Sequence, residues 1–306
     1  MAHDSATSSA QRQELEEQYS PSRWSRRGDA DYVISEHVRF VTEESERVRA
    51  QLPPLETARV GPGPRQLVDL FVGPQLPADC PVLVYVHGGY WQELSRELSA
   101  YCVRPLHGAG IAVAVVGYDL APQVNVSDIV EQIQAAVEFV LNFAQKRGSR
   151  GVWVCGHSAG AHLSAWLLSP WLDRLGAAAR RLLRGLVLVS GVYRLAPLVP
   201  TYVNHALRLT RETADSVSPA LAAFELSPDS KDSIKNMRIL VAIGQHDSPA
   251  FHEQSREYSK ILRGICDQVE YLEVADMDHF SVVENLHKED YILTKKIIAM
   301  IKSSNN

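Results

Sequence analysis

The chain has 306 residues, 45% of them apolar and 22% charged, the balance of a globular protein long enough to bury a substantial core. A net charge of −5 gives no sign of the basic patch that nucleic acid or an anionic membrane would require, and no apolar run approaches the ~20 residues that span a bilayer. The four cysteines, Cys80, Cys102, Cys155 and Cys266, form no Cys-x-x-Cys pair and read as free thiols of a reducing compartment, with no metal site.

Residues 1–14 are polar and partly acidic, without a secretory signal, and are expected to be disordered; residues 15–306 are expected to form a single domain. A helical pattern over 29–52 brings Val33, Val38, Val41, Val48 and Leu52 towards one face, and the PPL and GPGP runs then break it. Beyond that point short apolar runs alternate with longer helical segments. Strands are expected at 66–72, 81–86, 111–118, 151–156, 183–191, 238–244 and 268–274, and helices at 95–109, 127–147, 159–169, 250–264 and 281–300. The helix at 127–147 is the clearest, with Ile129, Ile133, Ala136, Val137, Val140 and Leu141 at helical spacing. Strands that are apolar throughout are buried on both faces, so the pattern predicts a mostly parallel sheet between helices. The stretch 192–232 breaks the alternation and is expected to form a cap or lid at the carboxyl end of a central strand.

The chemistry concentrates at Gly156-His157-Ser158-Ala159-Gly160, a G-x-S-x-G sequence between a predicted strand and a predicted helix. That setting lifts the serine hydroxyl out of the sheet on a sharp turn, at the amino terminus of a helix whose dipole favours negative charge. A plain turn whose serine caps the helix is the bland alternative. A serine needs a base and an orienting acid, and in this arrangement the chain order is Ser, Asp or Glu, then His. Asp247 follows the strand ending at Gly244, and His279 follows the strand ending at Val274. Ser158 is therefore read as nucleophile, His279 as base and Asp247 as its orienting acid. His157 diverges from Ser158 on such a turn, His162 is expected to be packed, and His246 to cap its loop. Asp276 and Asp278 are too close in sequence to His279 to approach it from the far side; they read as solvated or loop-capping.

A strand ending in VYVHGGYW supplies the remaining part. Acyl transfer builds negative charge on a carbonyl oxygen, and backbone N–H groups must be aimed at it. Gly88 and Gly89 leave such groups bare, and the amide of Ala159 adds another. His87 is expected to hold this loop by hydrogen bonding. Tyr90 and Trp91 stand where related loops carry a third glycine, which narrows the acyl side.

His87-Gly88-Gly89-Tyr90-Trp91, GHSAGAHL, the GQHDSPAFH segment around Asp247 and DHFSVVENL after Asp278 together resemble the kynurenine formamidase (arylformamidase) family of α/β-hydrolases. The resemblance covers nearly the whole chain, including LEEQYSPSRW at 15–24 and LVSGVY at 188–193. It implies an α/β-hydrolase fold, catalytic residues Ser158, Asp247 and His279, and hydrolysis of N-formyl-L-kynurenine, a small-molecule substrate, to L-kynurenine and formate. It also implies no metal or other cofactor and a cytosolic, also nuclear, location. Tyr118 to Pro122 resembles the DYRLAP segment of related esterases in altered form. Trp24, Tyr90, Trp91, Tyr193 and Phe280 are the candidates for a flat wall against the substrate ring, though most aromatics are core. The partners of the amino-acid end of the substrate are not legible, and a homodimer is carried as an expectation. A short-acyl carboxylesterase shares the whole triad and is the nearest alternative; a non-catalytic binding protein on a hydrolase scaffold is the next.

Overall fold

The computed structural model describes residues 8–303 apart from Pro53 and Phe224. Its strands are β1 Glu56–Arg59, β2 Leu67–Phe71, β3 Val82–Val86, β4 Ala112–Val116, β5 Val152–His157, β6 Leu183–Val189, β7 Arg238–Gly244 and β8 Gln268–Val274. They form one sheet in the order β1-β2-β4-β3-β5-β6-β7-β8. The β1/β2 and β2/β4 pairs are antiparallel and all others are parallel, so the carboxyl ends of β3 to β8 open on one edge of the sheet.

The central strands are buried on both faces, as their unbroken apolar composition requires. Val82, Val84 and Val86 pack into one core, while Leu83 and Tyr85 pack into the other. The first core is covered by α4 (Val126–Lys146), α5 (Ala159–Ala165) and the helix Pro249–Arg263; the second by α2 (Ala30–Gln51), α3 (Val103–Gly108) and the helix Ile292–Ser303. No helix among the described residues is long and apolar enough to cross a membrane.

Three expectations need correction. Of the segment read as disordered, residues 1–7 lie outside the described residues, and α1 (Ser9–Gln18) begins at once after them. Ser8 and Gln11 form a reciprocal capping box that satisfies the first amides, and this starts a helix that polarity alone conceals. Along α2, Val38 faces solvent, and the buried face contains His37, Glu44 and Ser45 beside Val33, Val41 and Val48. Each of these polar groups has a partner: His37 the Glu284 carboxylate, Glu44 the Arg47 guanidinium, and Ser45 the amide of Ala100. Finally, β1 is an edge strand with one buried side chain, too polar to register as a strand by hydrophobicity.

The predicted helices at 95–109 and 281–300 are broken into shorter pieces, whereas those at 29–52, 127–147 and 250–264 are continuous. Residues 281–300 divide into Ser281–Glu284, a 3-10 turn at Asn285–His287 and then Ile292–Ser303. The excursion 192–232 is a packed cap whose described residues include the short helices Asn204–Leu207 and Arg211–Ser216. Leu195, Leu198, Val203, Leu207 and Ala214 are buried in it. Its Val217 carbonyl accepts from His162 of α5 at 2.7 Å, which ties the cap to the helix behind Ser158.

Candidate active site

β5 delivers Ser158 to the open edge of the sheet. Its amide continues the parallel ladder onto the Val189 carbonyl at 2.8 Å, and the chain then reverses with Ser158 at φ 54°, ψ −117°. A non-glycine residue in that region is strained by ~1–3 kcal/mol and persists only where its surroundings enforce it. The flanking glycines show the enforcement. A Cβ on Gly156 would lie 2.2 Å from the Gly160 carbonyl oxygen, and one on Gly160 would lie 2.1 Å from that of Val86. The bend therefore exists only because both positions lack a side chain.

β7 and β8 deliver the other two groups. His279 Nδ1–H donates to Asp247 Oδ1 at 2.7 Å, and Asp247 Oδ2 accepts from Ser190 Oγ at 2.7 Å and from the Gly244 amide at 3.3 Å. This fixes the imidazole tautomer, leaving Nε2 as the basic nitrogen. Ser158, Asp247 and His279 are all buried. Ser158 Oγ makes no hydrogen bond among the described residues; catalytic contacts of this kind are commonly long until substrate binds.

His157 links the two halves of the site. Its Nε2–H donates to the His279 carbonyl at 2.9 Å, with the two rings 4.8 Å apart. Burial, reinforced by the neighbouring His279 and His37 rings, holds its pKa well below the ordinary imidazole value, so it stays neutral. With Nε2 committed to that carbonyl, His157 carries the His279 loop, a role the sequence does not reveal.

The loop after β3 runs beside the nucleophile. A Cβ on Gly88 would lie 3.1 Å from the Ser158 Cβ and 3.0 Å from the His157 carbonyl oxygen. Gly89, Tyr90 and Trp91 all have positive φ. Tyr118 Oη donates to the His87 carbonyl at 2.9 Å and to that of Gly88 at 3.3 Å, and the Ala121 amide donates to the Trp91 carbonyl at 2.8 Å. With its carbonyls held in this way, the loop keeps its amides unspent: among the described residues those of Gly88, Gly89 and Ala159 donate no hydrogen bond. His87 stacks on Tyr118 at 4.2 Å and donates Nδ1–H to the Gly88 carbonyl at 2.8 Å. Burial lowers its pKa to about 4, in keeping with a neutral loop-holding group.

The expected aromatic wall divides. Trp91 and Tyr193 are fully buried and offer no surface to a substrate. Trp91 donates Nε1–H to His162 Nδ1 at 3.2 Å, and Tyr193 stacks on Tyr258 at 4.0 Å. Trp91 is thus a strut between the oxyanion loop and α5, and His162, whose pKa burial lowers to about 4, is packed as expected. Trp24, Tyr90 and Phe280 remain partly exposed, and Phe280 stands edge-on to His279 at 5.4 Å.

The amino-terminal segment closes over these loops. Tyr90 Oη donates to the Tyr19 carbonyl at 2.8 Å, the Ala250 amide donates to Gln18 Oε1 at 3.1 Å, and Gln254 Nε2 donates to Tyr19 Oη at 3.0 Å. Asp278, expected to be solvated or loop-capping, is buried and does cap: its Oδ1 accepts the amides of Phe280 and Ser281 at 3.0 and 2.7 Å. Its Oδ2 accepts from Ser25 and from Arg27 Nε at 2.8 Å, while Arg27 Nη1 reaches Glu284 at 2.7 Å. Besides Glu284, within the same segment, the residues holding the His279 loop therefore come from positions 25, 27 and 37, too distant in sequence for any motif to show.

The α/β-hydrolase family model matches residues 83–282. The chain is 40% identical to the kynurenine formamidase of Salmo salar over 95% of this chain and 97% of that one. It is 39% identical to that of Danio rerio (97% and 98% covered) and 30% identical to that of Drosophila melanogaster (90% and 93%). Among solved structures, one from Silicibacter sp. superposes with a TM-score of 0.75 at 26% identity over 94% of this chain and 99% of that one. A Pyrobaculum calidifontis esterase gives 0.67 at 20% identity, covering 97% and 98%, a likeness of fold alone. A strained serine, a paired His–Asp and bare loop amides on such a sheet, with matches running the length of the chain, establish that it belongs to the kynurenine formamidase family of α/β-hydrolases.

Proposed function

We propose that this protein hydrolyses N-formyl-L-kynurenine to L-kynurenine and formate through a formyl-Ser158 intermediate. The observation that carries the reading is the His279–Asp247 pair at 2.7 Å beside a nucleophile turn, in a chain 40% identical to a kynurenine formamidase. His279 Nε2 takes the Ser158 Oγ proton as the oxygen attacks the formyl carbon. The oxyanion is received by the free amides of Ala159, Gly89 and Gly88, each such donor lowering the barrier by ~3 kcal/mol. Collapse breaks the C–N bond, and the imidazolium returns its proton to the departing aryl amine. Water, deprotonated by His279, then attacks the formyl ester and releases formate and the serine.

Formyl is the smallest acyl group, and it suits an acyl side beside which Tyr90, partly exposed, stands where related loops carry a third glycine. Trp24, Tyr90 and Phe280 are the aromatic surfaces we assign to the substrate ring. The absorbance change on deformylation of N-formylkynurenine by the pure protein tests the reading. Cleavage no faster than that of a short-chain aryl ester would replace it with the carboxylesterase alternative, which shares the whole triad. Loss of fluorophosphonate labelling in Ser158→Ala, with labelling in the wild type, excludes a non-catalytic scaffold.

Residues 15–306 are read as one folding unit, tested by a single cooperative melt. The protein is assigned to the cytoplasm and also the nucleus, in keeping with four buried, free cysteines; cell fractionation tests this. Homodimerisation, for which the exposed Ile34 and Val38, one turn apart on α2, offer a small apolar surface, is tested by light scattering, where a monomer mass removes it.

A further inference from the structure

We infer that Ser190 is a positioning residue of the catalytic apparatus, its hydroxyl holding the Asp247 carboxylate aimed at His279. It is the first residue beyond β6, within the LVSGVY segment that neither the fold nor the triad explains. Its side chain is fully buried, and its Oγ donates to Asp247 Oδ2 at 2.7 Å while the other carboxylate oxygen accepts from His279 Nδ1 at 2.7 Å. The one further donor to Asp247 among the described residues, the Gly244 amide, is longer at 3.3 Å. Ser190 therefore supplies the shorter of the two hydrogen bonds that hold the side of the carboxylate turned away from the base.

The backbone at this position is informative. Ser190 has φ 48°, a left-handed conformation uncommon outside glycine and costly for other residues. Its amide still continues the ladder onto the Ala242 carbonyl at 2.8 Å. Ser158 does the same one strand over, with φ 54° and its amide on the Val189 carbonyl at 2.8 Å. Two neighbouring parallel strands thus end in serines bent alike, one presenting the nucleophile and the other gripping the acid. Glycine would take this bend at position 190 without strain. A serine held there in a conformation it disfavours indicates that the hydroxyl, and not the turn, is what the position supplies.

Charge-assisted hydrogen bonds both orient a carboxylate and spread its charge. Without the Ser190 donor, Asp247 is held less firmly and its charge falls more fully on His279. The rate therefore falls through kcat, with KM nearly unchanged, because Ser190 touches no substrate.

The inference rests on the triad assignment, which Ser158→Ala tests separately. Ser190→Ala removes the hydroxyl and keeps the strain; Ser190→Gly removes both. Kinetics with N-formylkynurenine and thermal melts are measured for both variants and the wild type. The expected result is a loss of about 10- to 100-fold in kcat for both variants, the range for one hydrogen bond to a charged group. KM stays within about twofold of wild type, and Ser190→Gly melts no lower than Ser190→Ala. A Ser190→Gly enzyme within about twofold of wild type in kcat overturns the inference. So does a loss carried by KM with kcat kept, and so does failure of Ser190→Gly to fold, since neither outcome is that of a residue acting through Asp247. A wild-type rate in the Ser190 variants with an inactive Ser158→Ala sinks this inference alone and leaves the triad standing.

Discussion

Replacing Arg27 by methionine keeps the aliphatic stem and deletes the charge that ties the amino-terminal segment to the His279 loop. Arg27 makes paired contacts to Asp278 at 2.8 and 3.3 Å and to Glu284 at 2.7 and 3.3 Å. Both carboxylates are buried, while the Arg27 side chain is 34% exposed. Breaking a fully buried pair costs ~3–5 kcal/mol. Here solvent screens the guanidinium, and each acid keeps other donors: Asp278 has Ser25 and two amides, and Glu284 has His37. The expected loss is therefore about 2 kcal/mol, lowering the melting temperature of a chain of this length by roughly 3 °C. Because Asp278 adjoins His279, kcat should fall as well, on the order of tenfold, with fluorophosphonate labelling slowed in parallel. A double-mutant cycle with Asp278→Asn should return a coupling of at least about 1 kcal/mol. A coupling near zero, or an unchanged kcat alongside a lowered melting temperature, would refute the positioning role. The acid titration gives a second reading. Although burial opposes it, the Ser25 and Ser281 donors and the Arg27 charge lower the Asp278 pKa. Its stabilisation is thus complete above the unfolded carboxylate pKa of about 4 and is lost as the pH falls below it.

Two further outcomes are expected. Gly88→Ala would set a Cβ 3.1 Å from the Ser158 Cβ and 3.0 Å from the His157 carbonyl oxygen, displacing the oxyanion amides. Its kcat should fall about 10²-fold with the melting temperature nearly kept, and an unaffected rate would remove Gly88 from the oxyanion site. His87 and His162, both buried with pKa lowered to about 4, stay neutral in the fold but protonate in the unfolded chain near pH 6.5. Their stabilisation is complete above that value and lost as the pH falls towards 4, about 2 kcal/mol each at pH 5, so urea midpoints should drop between pH 7 and 5; equal midpoints would contradict the assignment.

What the sequence makes legible is what lies on strand ends. Ser158 and Asp247 follow apolar runs that can only be buried strands, His279 follows the alternating strand β8, and a parallel sheet brings such ends to one edge. The loop after β3 is legible because its bare amides leave a visible Gly88-Gly89. The supporting residues are not legible, because their partners are remote: Ser190 needs Asp247, Arg27 needs Asp278 and Glu284, and His157 needs the His279 backbone. Trp91 and Tyr193 look like substrate walls in a motif but are struts in the fold, since a large aromatic near a site is as useful for packing as for recognition. The helix at Ser9–Gln18 and the buried polar face of α2 are missed for a related reason: caps and paired polar groups stabilise without leaving an apolar pattern.

The most direct test of acyl transfer from Ser158 is deformylation of N-formylkynurenine by the wild type and by Ser158→Ala, compared at equal concentration of folded protein. The predicted result is rapid release of formate by the wild type, faster than cleavage of a short-chain aryl ester, and a fall of at least about 10³-fold in the variant at an unchanged melting temperature. A variant retaining more than about a tenth of the wild-type rate would contradict it.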